Sequence, residues 1–170
     1  MITKNLTIRP FEESDDKAIS NYCLPSEQAI FTSLPTFVVE TFREDSFNQP
    51  YMIFSGEDLV GCFVLYCDKS GNIYTENESA ILLKSFSIDS RHQKKGYALQ
   101  SLQSLPDLVK NHFPDKDEIL LTVHNMNIPA INLYKKAGFL DKGLAYEGEY
   151  GTELIYHYEL GAHLKEFLNV

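Results

Sequence analysis

The sequence predicts a single mixed α/β domain of the α+β kind. Its central sheet, mostly antiparallel with six to seven strands, carries helices on both faces and one parallel β-α-β crossover. Three observations carry this expectation. Short apolar, β-prone runs recur along the chain. Some follow one another across tight turns, as in antiparallel hairpins. One pair is separated by a long helical pattern, which returns the chain parallel and right-handed. At 170 residues the chain suits one domain, 1–170, with a substantial core.

Residues 4–9 alternate and read as a first strand ending at Pro10. Ser14-Asp15-Asp16 offers an N-cap and an acidic first turn for a helix through about Cys23. Pro25 and Pro35 bracket a short helical stretch from Ser26 to Leu34, and another helix runs from Thr36 towards Phe47. Tyr51–Phe54 and Leu59–Tyr66 form a hairpin across Ser55-Gly56-Glu57-Asp58. Asp68 to Asn77 is a polar loop. Ala80–Ile88 is a strand, Gly96 to about Phe113 a long helix, Ile119–Val123 a buried strand and Pro129–Ala137 a helix. Pro106 should kink or break the long helix near Leu105. Phe139 onwards returns to strand, ending in a tyrosine-rich hairpin across Gly148 and Gly151.

The net charge of −9 argues against a general nucleic-acid binder. It would suit a cationic substrate, although such a balance is commonly a solubility feature. Cys23, Cys62 and Cys67 are an odd count without CxxC spacing and read as buried thiols in a reducing cytoplasm. The N-terminus enters a strand pattern directly, with no signal peptide, and no apolar run approaches the ~18–20 residues of a membrane span. P-loop, HExxH and GxSxG patterns and His/Cys clusters are absent, so no metal is expected.

The most informative segment is Ser85 to Leu99. An apolar strand stops at Asp89-Ser90, a basic stretch follows, and a helical pattern opens at Gly96. A strand that empties into a helix through a small-residue turn collects unpaired N–H groups, the makings of an anion site. Arg91, Lys94 and Lys95 put three positive charges around it, which suits a phosphate. Taken alone, Gln93-x-x-Gly96-x-Ala98 reads as well as an ordinary turn with solvated lysines. The second motif, Asn127 to Phe139, is a sharply bounded helix: Asn127 or a neighbour caps it, Pro129 lies in its first turn and Gly138 ends it. Ala130, Tyr134 and Ala137 share a face, where small residues would let a ligand lie beside the tyrosine. Most helical tyrosines at such positions are core filler.

The order apolar strand, Q-x-x-G-x-A, helix, strand, N-x-x-A-x-x-L-Y-x-x-A-G-F resembles the GCN5-related N-acetyltransferases (GNAT), which use acetyl-coenzyme A. The strong resemblance covers about 79–139, the cofactor-binding core; elsewhere only the element order fits. It implies that Gln93, Lys94, Lys95, Gly96, Tyr97 and Ala98 hold the pyrophosphate, and that Phe86, Ser87 and Ile88 pair with the pantetheine amides. It further implies that Asn127 contacts the coenzyme arm and that Tyr134 protonates the departing thiolate. A phenol near its ordinary pKa of ~10 suits that role. The implied reaction is direct attack of a neutral amine on the thioester, with the Ile88 N–H as oxyanion donor.

The sequence departs from the family at the base. Leu82 and Leu83 occupy the fourth-strand position and Thr122 the fifth-strand one, which leaves His124, Glu27, Glu78 or a water chain. For the acceptor, the resemblance directs attention to Glu12, Glu13, Asp15, Asp16 and Glu27, and in the last hairpin to Glu147, Glu149, Tyr150, Tyr156 and Tyr158. Carboxylates and aromatic faces would favour a cation. The substrate residues are therefore expected to be Glu27, Glu147 and Tyr150. Pro25 to Phe31, Ser87-Ile88-Asp89 and Gln93 to Tyr97 are also similar, more weakly, to bacterial spermine/spermidine acetyltransferases. The expected partner is a small-molecule amine, such as a polyamine, with no nucleic acid or membrane, in a monomer or homodimer. Peptide or ribosomal-protein N-termini, amino acids and aminoglycosides are the alternative acceptors, and a non-catalytic acyl-CoA-binding module is the alternative from another class.

Overall fold

The computed structural model describes residues 5–68 and 72–161; Lys4 of the first expected strand and 69–71 of the polar loop lie outside them. Seven strands follow the hydrogen-bonded order β1-β2-β3-β4-β5-β7-β6, with five α-helices among the described residues. Contacts gather into two compact units, 1–66 with 84–101 and 67–83 with 102–170.

The first unit holds β1 (Leu6–Pro10), β2 (Asn48–Ser55), β3 (Asp58–Tyr66) and the later part of β4 (Ala80–Ile88). β1 and β2 pair antiparallel from Leu6↔Ser55 to Pro10↔Tyr51, and β2 and β3 from Asn48↔Tyr66 to Ser55↔Asp58. That register leaves a two-residue turn in which Gly56 takes φ 62°, a conformation that favours glycine. Phe11, Ile19, Tyr22, Val39, Met52, Leu59 and Cys62 form one buried cluster.

Helices in this unit are shorter than the sequence pattern suggests. The first begins as a 3-10 turn, Glu13–Asp15, and continues as α1 (Asp16–Ser20). Asp15 closes a capping box by accepting the Glu12 N–H at 2.9 Å, and the Asn21 side chain caps the Lys17 carbonyl. α2 is one turn, Ser26–Ala29, because the residues beyond it have no core to cover: Ile30 is 74% exposed. α3 (Pro35–Glu44) stops where Asp45 turns its carboxylate back to the Phe47 N–H.

The second unit holds the start of β4, β5 (Glu118–His124), β6 (Leu140–Gly148) and β7 (Gly151–Glu159). β4 and β5 form the expected parallel pair, Ala80↔Glu118 to Leu83↔Leu121. β7 pairs antiparallel with both β5 and β6, closing the last hairpin at Gly148↔Gly151. α5 (Ile128–Lys136) ends in a Schellman arrangement: Phe139 N–H reaches the Tyr134 carbonyl, Gly138 N–H the Lys135 carbonyl, and Gly138 takes φ 99°. The Tyr134 and Phe139 rings meet edge-on at 5.9 Å, supplying the hydrophobic contact of that motif.

α4 (Tyr97–His112) runs through Pro106 without the break that the sequence pattern allowed. One missing N–H is offset by burial of Leu102, Leu105 and Val109, each worth ~1.5–3 kcal/mol. The cysteines also need correction: only Cys62 is buried, Cys67 is intermediate and Cys23 exposed.

Arg9 grips Asp15 with two parallel bonds of 2.9 and 2.7 Å, and this pairing holds the Asp15 carboxyl below its ordinary pKa against the opposing effect of burial. Asp15→Asn should therefore cost about 1.5–3 kcal/mol at neutral pH, or ~3–12 °C in Tm. A lowered folded pKa means the contribution is present above the unfolded value of ~3.9 and disappears as pH falls through the folded value. The gap between the thermal melts of the two proteins should be full at pH ~7 and shrink as pH falls below ~3.9.

Candidate active site

In the first unit, β4 ends at Ile88 and hands over to Asp89, which is fully buried. Its carboxylate accepts the Arg91 N–H at 2.9 Å, the Arg91 side chain at 3.0 and 2.8 Å, and the Cys23 N–H at 3.0 Å. Burial pushes the Asp89 pKa up; the Arg91 and Cys23 hydrogen bonds outweigh it, and the net direction is down. Arg91 also donates to the Asn21 carbonyl at 2.8 Å. The expected trio of free charges is thus reduced: Arg91 holds the turn together, while Lys94 and Lys95 stay exposed.

Gln93 fixes the next step. Its amide donates to the Ile88 carbonyl at 2.9 Å and to Gln28 at 2.8 Å. Lys94 (φ 62°) and Gly96 (φ 81°) then take left-handed backbone around Lys95. A Cβ on Gly96 would meet nothing within 4 Å, so conformation rather than space requires the glycine. The first bond of α4 runs from the Gln100 N–H to the Gly96 carbonyl, which leaves the N–H groups of Tyr97, Ala98 and Leu99 without an intrahelical acceptor. The Tyr97 hydroxyl lies 3.3 Å from Ser55 Oγ, tying the helix opening to β2. The turn thus presents helix-opening main-chain N–H groups beside two exposed lysines.

Ser87 is turned towards its neighbours in the first unit. Its buried hydroxyl lies 2.7 Å from Tyr22 Oη and 3.7 Å from Cys62 Sγ, and its carbonyl faces Gly61 of β3. Strand alternation then turns the main-chain groups of Phe86 and Ile88 the other way. The Thr32 hydroxyl donates to the Phe86 carbonyl at 3.5 Å. Ser85, just before, has φ 53°, uncommon for a residue other than glycine.

In the second unit, Tyr134 lies in the last turn of α5, 9% exposed, and its hydroxyl has no hydrogen-bond partner among the described residues. Burial pushes its pKa up to about 12, above the ordinary phenol value expected from sequence. Asn127 is the N-cap residue of α5 but makes no side-chain cap bond. His124 is engaged at both nitrogens: Nδ1 accepts the Met126 N–H at 3.1 Å, so Nε2 donates to the Tyr150 carbonyl at 2.9 Å. Glu78 is exposed.

Several carboxylates of the N-terminal segment are already paired with arginine. Asp15 is paired with Arg9, and Glu13 and Asp16 lie 3.0 and 3.8 Å from Arg43. Glu147 accepts from Thr152 Oγ1 at 2.8 Å, Tyr156 is buried, and Tyr150 is 84% exposed. Glu27 is exposed on α2, next to the Gln28 that grips Gln93.

A cavity of about 150 Å³ escaped the sequence reading. Phe37, Val38, Asn48, Val64, Lys84 and Ser85 line it, all in the first unit. Lys84 Nζ donates to Asn48 Oδ1 at 3.0 Å and sits 5.2 Å from the Tyr66 ring centre. Burial lowers its pKa, with Asp45 partly restoring it. The available signal was one lysine inside the apolar run Ala80-Ile81-Leu82-Leu83-Lys84.

Among the described residues no helix is long and apolar enough to cross a membrane, and no cluster of His, Cys, Asp and Glu could hold a metal. The sequence model of the acetyltransferase (GNAT) family matches residues 17–139. YbbJ of Bacillus subtilis, described as an uncharacterized N-acetyltransferase, is 34% identical over 160 residues, 94% of this chain and 100% of that protein. The spermine/spermidine N(1)-acetyltransferase of the same organism is 26% identical over 146 residues, 85% and 95% of the two chains. Similar solved folds include aminoglycoside acetyltransferase AAC(6')-Ib with coenzyme A, at TM-score 0.75, 16% identity and coverage of 95% and 99%. Spermidine N-acetyltransferase of Vibrio cholerae, with CoA and spermine, gives 0.69, 19%, and 94% and 98%. With a family match over most of its length and a full-length relative above 30% identity, the chain belongs to the acetyltransferase (GNAT) family.

Proposed function

We propose that this acyltransferase moves an acetyl group from acetyl-CoA to the primary amine of a small molecule by direct attack. The observation that carries the reading is the turn after β4: left-handed Lys94 and Gly96, helix-opening N–H groups without acceptors, and two exposed lysines. Those features fit a diphosphate, which needs several converging donors and positive charge. The Phe86 and Ile88 main-chain groups would pair with the pantetheine amides as an added strand. Asn127, whose side chain is not used as a cap, is available to contact the coenzyme arm.

The thioester of acetyl-CoA supplies the activated acyl group. The Ile88 N–H stabilises negative charge developing on the acyl oxygen. Tyr134, protonated throughout the neutral range, donates to the departing sulfur. A pKa of about 12 makes it a weak acid towards a solvated thiolate. With His124 engaged at both nitrogens, its role as base loses support, and the amine is taken to arrive neutral.

A polyamine acceptor is a second reading, supported by the 26% identical spermine/spermidine relative. The arginine-paired carboxylates of the N-terminal segment weaken the electrostatic argument for it.

Tyr134→Phe should lower kcat by ~10²–10⁴-fold with little change in acetyl-CoA affinity, measured by steady-state kinetics beside calorimetry. Unchanged turnover would remove Tyr134 from the mechanism. Replacing Lys94 and Lys95 together by Ala removes two exposed charges worth ~0.2–1 kcal/mol each, so coenzyme affinity should fall by about 2- to 30-fold and become less salt-dependent. Full affinity in that variant would relocate the phosphate site.

A further inference from the structure

The cavity beside β4 contains a charge the acyl-transfer reading does not use. Lys84 stands half-buried in its wall, and no carboxylate lies within ion-pair distance of its ammonium among the described residues. Its ammonium donates to a neutral acceptor, Asn48 Oδ1, at 3.0 Å. Asn48 is itself 4% exposed and is held by Asp45, whose carboxylate accepts the Asn48 amide at 3.2 Å and the Phe47 N–H at 3.0 Å. Asp45 therefore orients the partner of Lys84 and leaves the cation without a direct counter-ion. A half-buried ammonium so placed is stabilised by an anion that arrives with a ligand.

The rest of the wall describes that ligand. Phe37, Val38 and Val64 offer apolar contact, and Phe37 remains 60% exposed at the mouth. A volume of about 150 Å³ is the scale of a cavity that admits a benzene ring. Position along the chain matters too. Lys84 and Ser85 immediately precede Phe86, and Ser33 on the wall follows Thr32, which donates to the Phe86 carbonyl. Ser85 sits at the rim in a left-handed conformation, a strain that locates functional segments more than inert ones.

We propose that this cavity takes the acceptor, and that Lys84 selects an amine bearing a carboxylate, as in an α-amino acid with a small or medium apolar side chain. The inference rests on the acyl-transfer reading above and deepens it. The carboxylate meets the Lys84 ammonium beside Asn48, the side chain packs on Phe37, Val38 and Val64, and the neutral amine is left towards the Phe86 end of β4. The amine nitrogen forms the new amide bond to the acetyl carbon, the carbon–sulfur bond breaks, and the proton lost by nitrogen balances the one taken up by sulfur. A polycation meets like charge from Lys84 and gains no carboxylate in the wall to offset it.

The test is coenzyme A release and product mass from full-length protein with saturating acetyl-CoA. The acceptors are leucine, methionine, phenylalanine and threonine, each beside its methyl ester, together with isoamylamine and spermidine. Rates are referred to the neutral amine. At least one free amino acid should exceed its ester by about tenfold or more in kcat/KM, through KM chiefly. Lys84→Met should bring that ratio to within about threefold of unity, and Lys84→Arg should keep most of it. Esters, isoamylamine or spermidine matching or beating every free amino acid in the wild type would overturn the inference. So would an unchanged ratio in Lys84→Met; if that variant does not fold, the wild-type ratio and the arginine variant decide. Failure of the underlying reading looks different: no coenzyme A release with any amine, and no acetyl-CoA binding by calorimetry.

Discussion

Asp89 is the contact on which the first unit's chemistry depends. A carboxylate with no exposed surface accepts four hydrogen bonds, three from Arg91 and one from the Cys23 N–H. Burying an ionised carboxylate is costly unless its lone pairs are filled, and here they are. The result fixes the end of β4, the chain entering α2 and the start of the basic turn at one point. Charge-assisted bonds of this kind are about twice as strong as neutral ones, so the turn is held before any ligand arrives. Pre-organisation matters because an anion site made of main-chain N–H groups works only if those groups already converge.

Backbone strain marks the same stretch. Ser85 and Lys94 are the non-glycine residues with positive φ among those described, and they bracket the segment holding Phe86, Ile88, Asp89 and Gln93. Such conformations cost on the order of 1–3 kcal/mol each and persist only where surroundings over-determine them. The Gln93 amide on the Ile88 carbonyl and the Asp89 network supply that determination. The cavity wall at Lys84 and Ser85 is continuous along the chain with this strained segment, which joins acceptor selection to coenzyme binding through a few residues of one strand.

The two motifs were legible in the sequence because each depends on local rules. Gly96 and Gly138 occupy left-handed positions, and the small residues around them mark turn and helix end without reference to distant partners. The strands of β4 and β5 were legible for the same reason, as apolar runs longer than a loop tolerates. What could not be read were pairings at a distance. Nothing local says that Arg9 takes Asp15 or Arg43 takes Glu13, so the acidic N-terminal segment read as an open cation site. Arg91 looked like a phosphate ligand because its partner Asp89, two residues away, looked like an exposed turn residue. Lys84 gives no local signal of its role, because its partner Asn48 lies 36 residues away in the sequence. At Pro106 helix propensity weighs a lost hydrogen bond and cannot weigh the burial of Leu102, Leu105 and Val109, beside which the helix continues unbroken.

Central to all of this is that free main-chain N–H groups between Lys94 and Leu99 receive the coenzyme's diphosphate. Amide hydrogen exchange, followed residue by residue with and without coenzyme A, reads those groups directly. Exchange at Lys94 to Leu99 should slow by about tenfold or more on saturation, as solvent-exposed donors become ligand-bonded ones. Unchanged exchange across that stretch, under conditions where calorimetry shows the coenzyme bound, would place the diphosphate elsewhere and contradict the proposal.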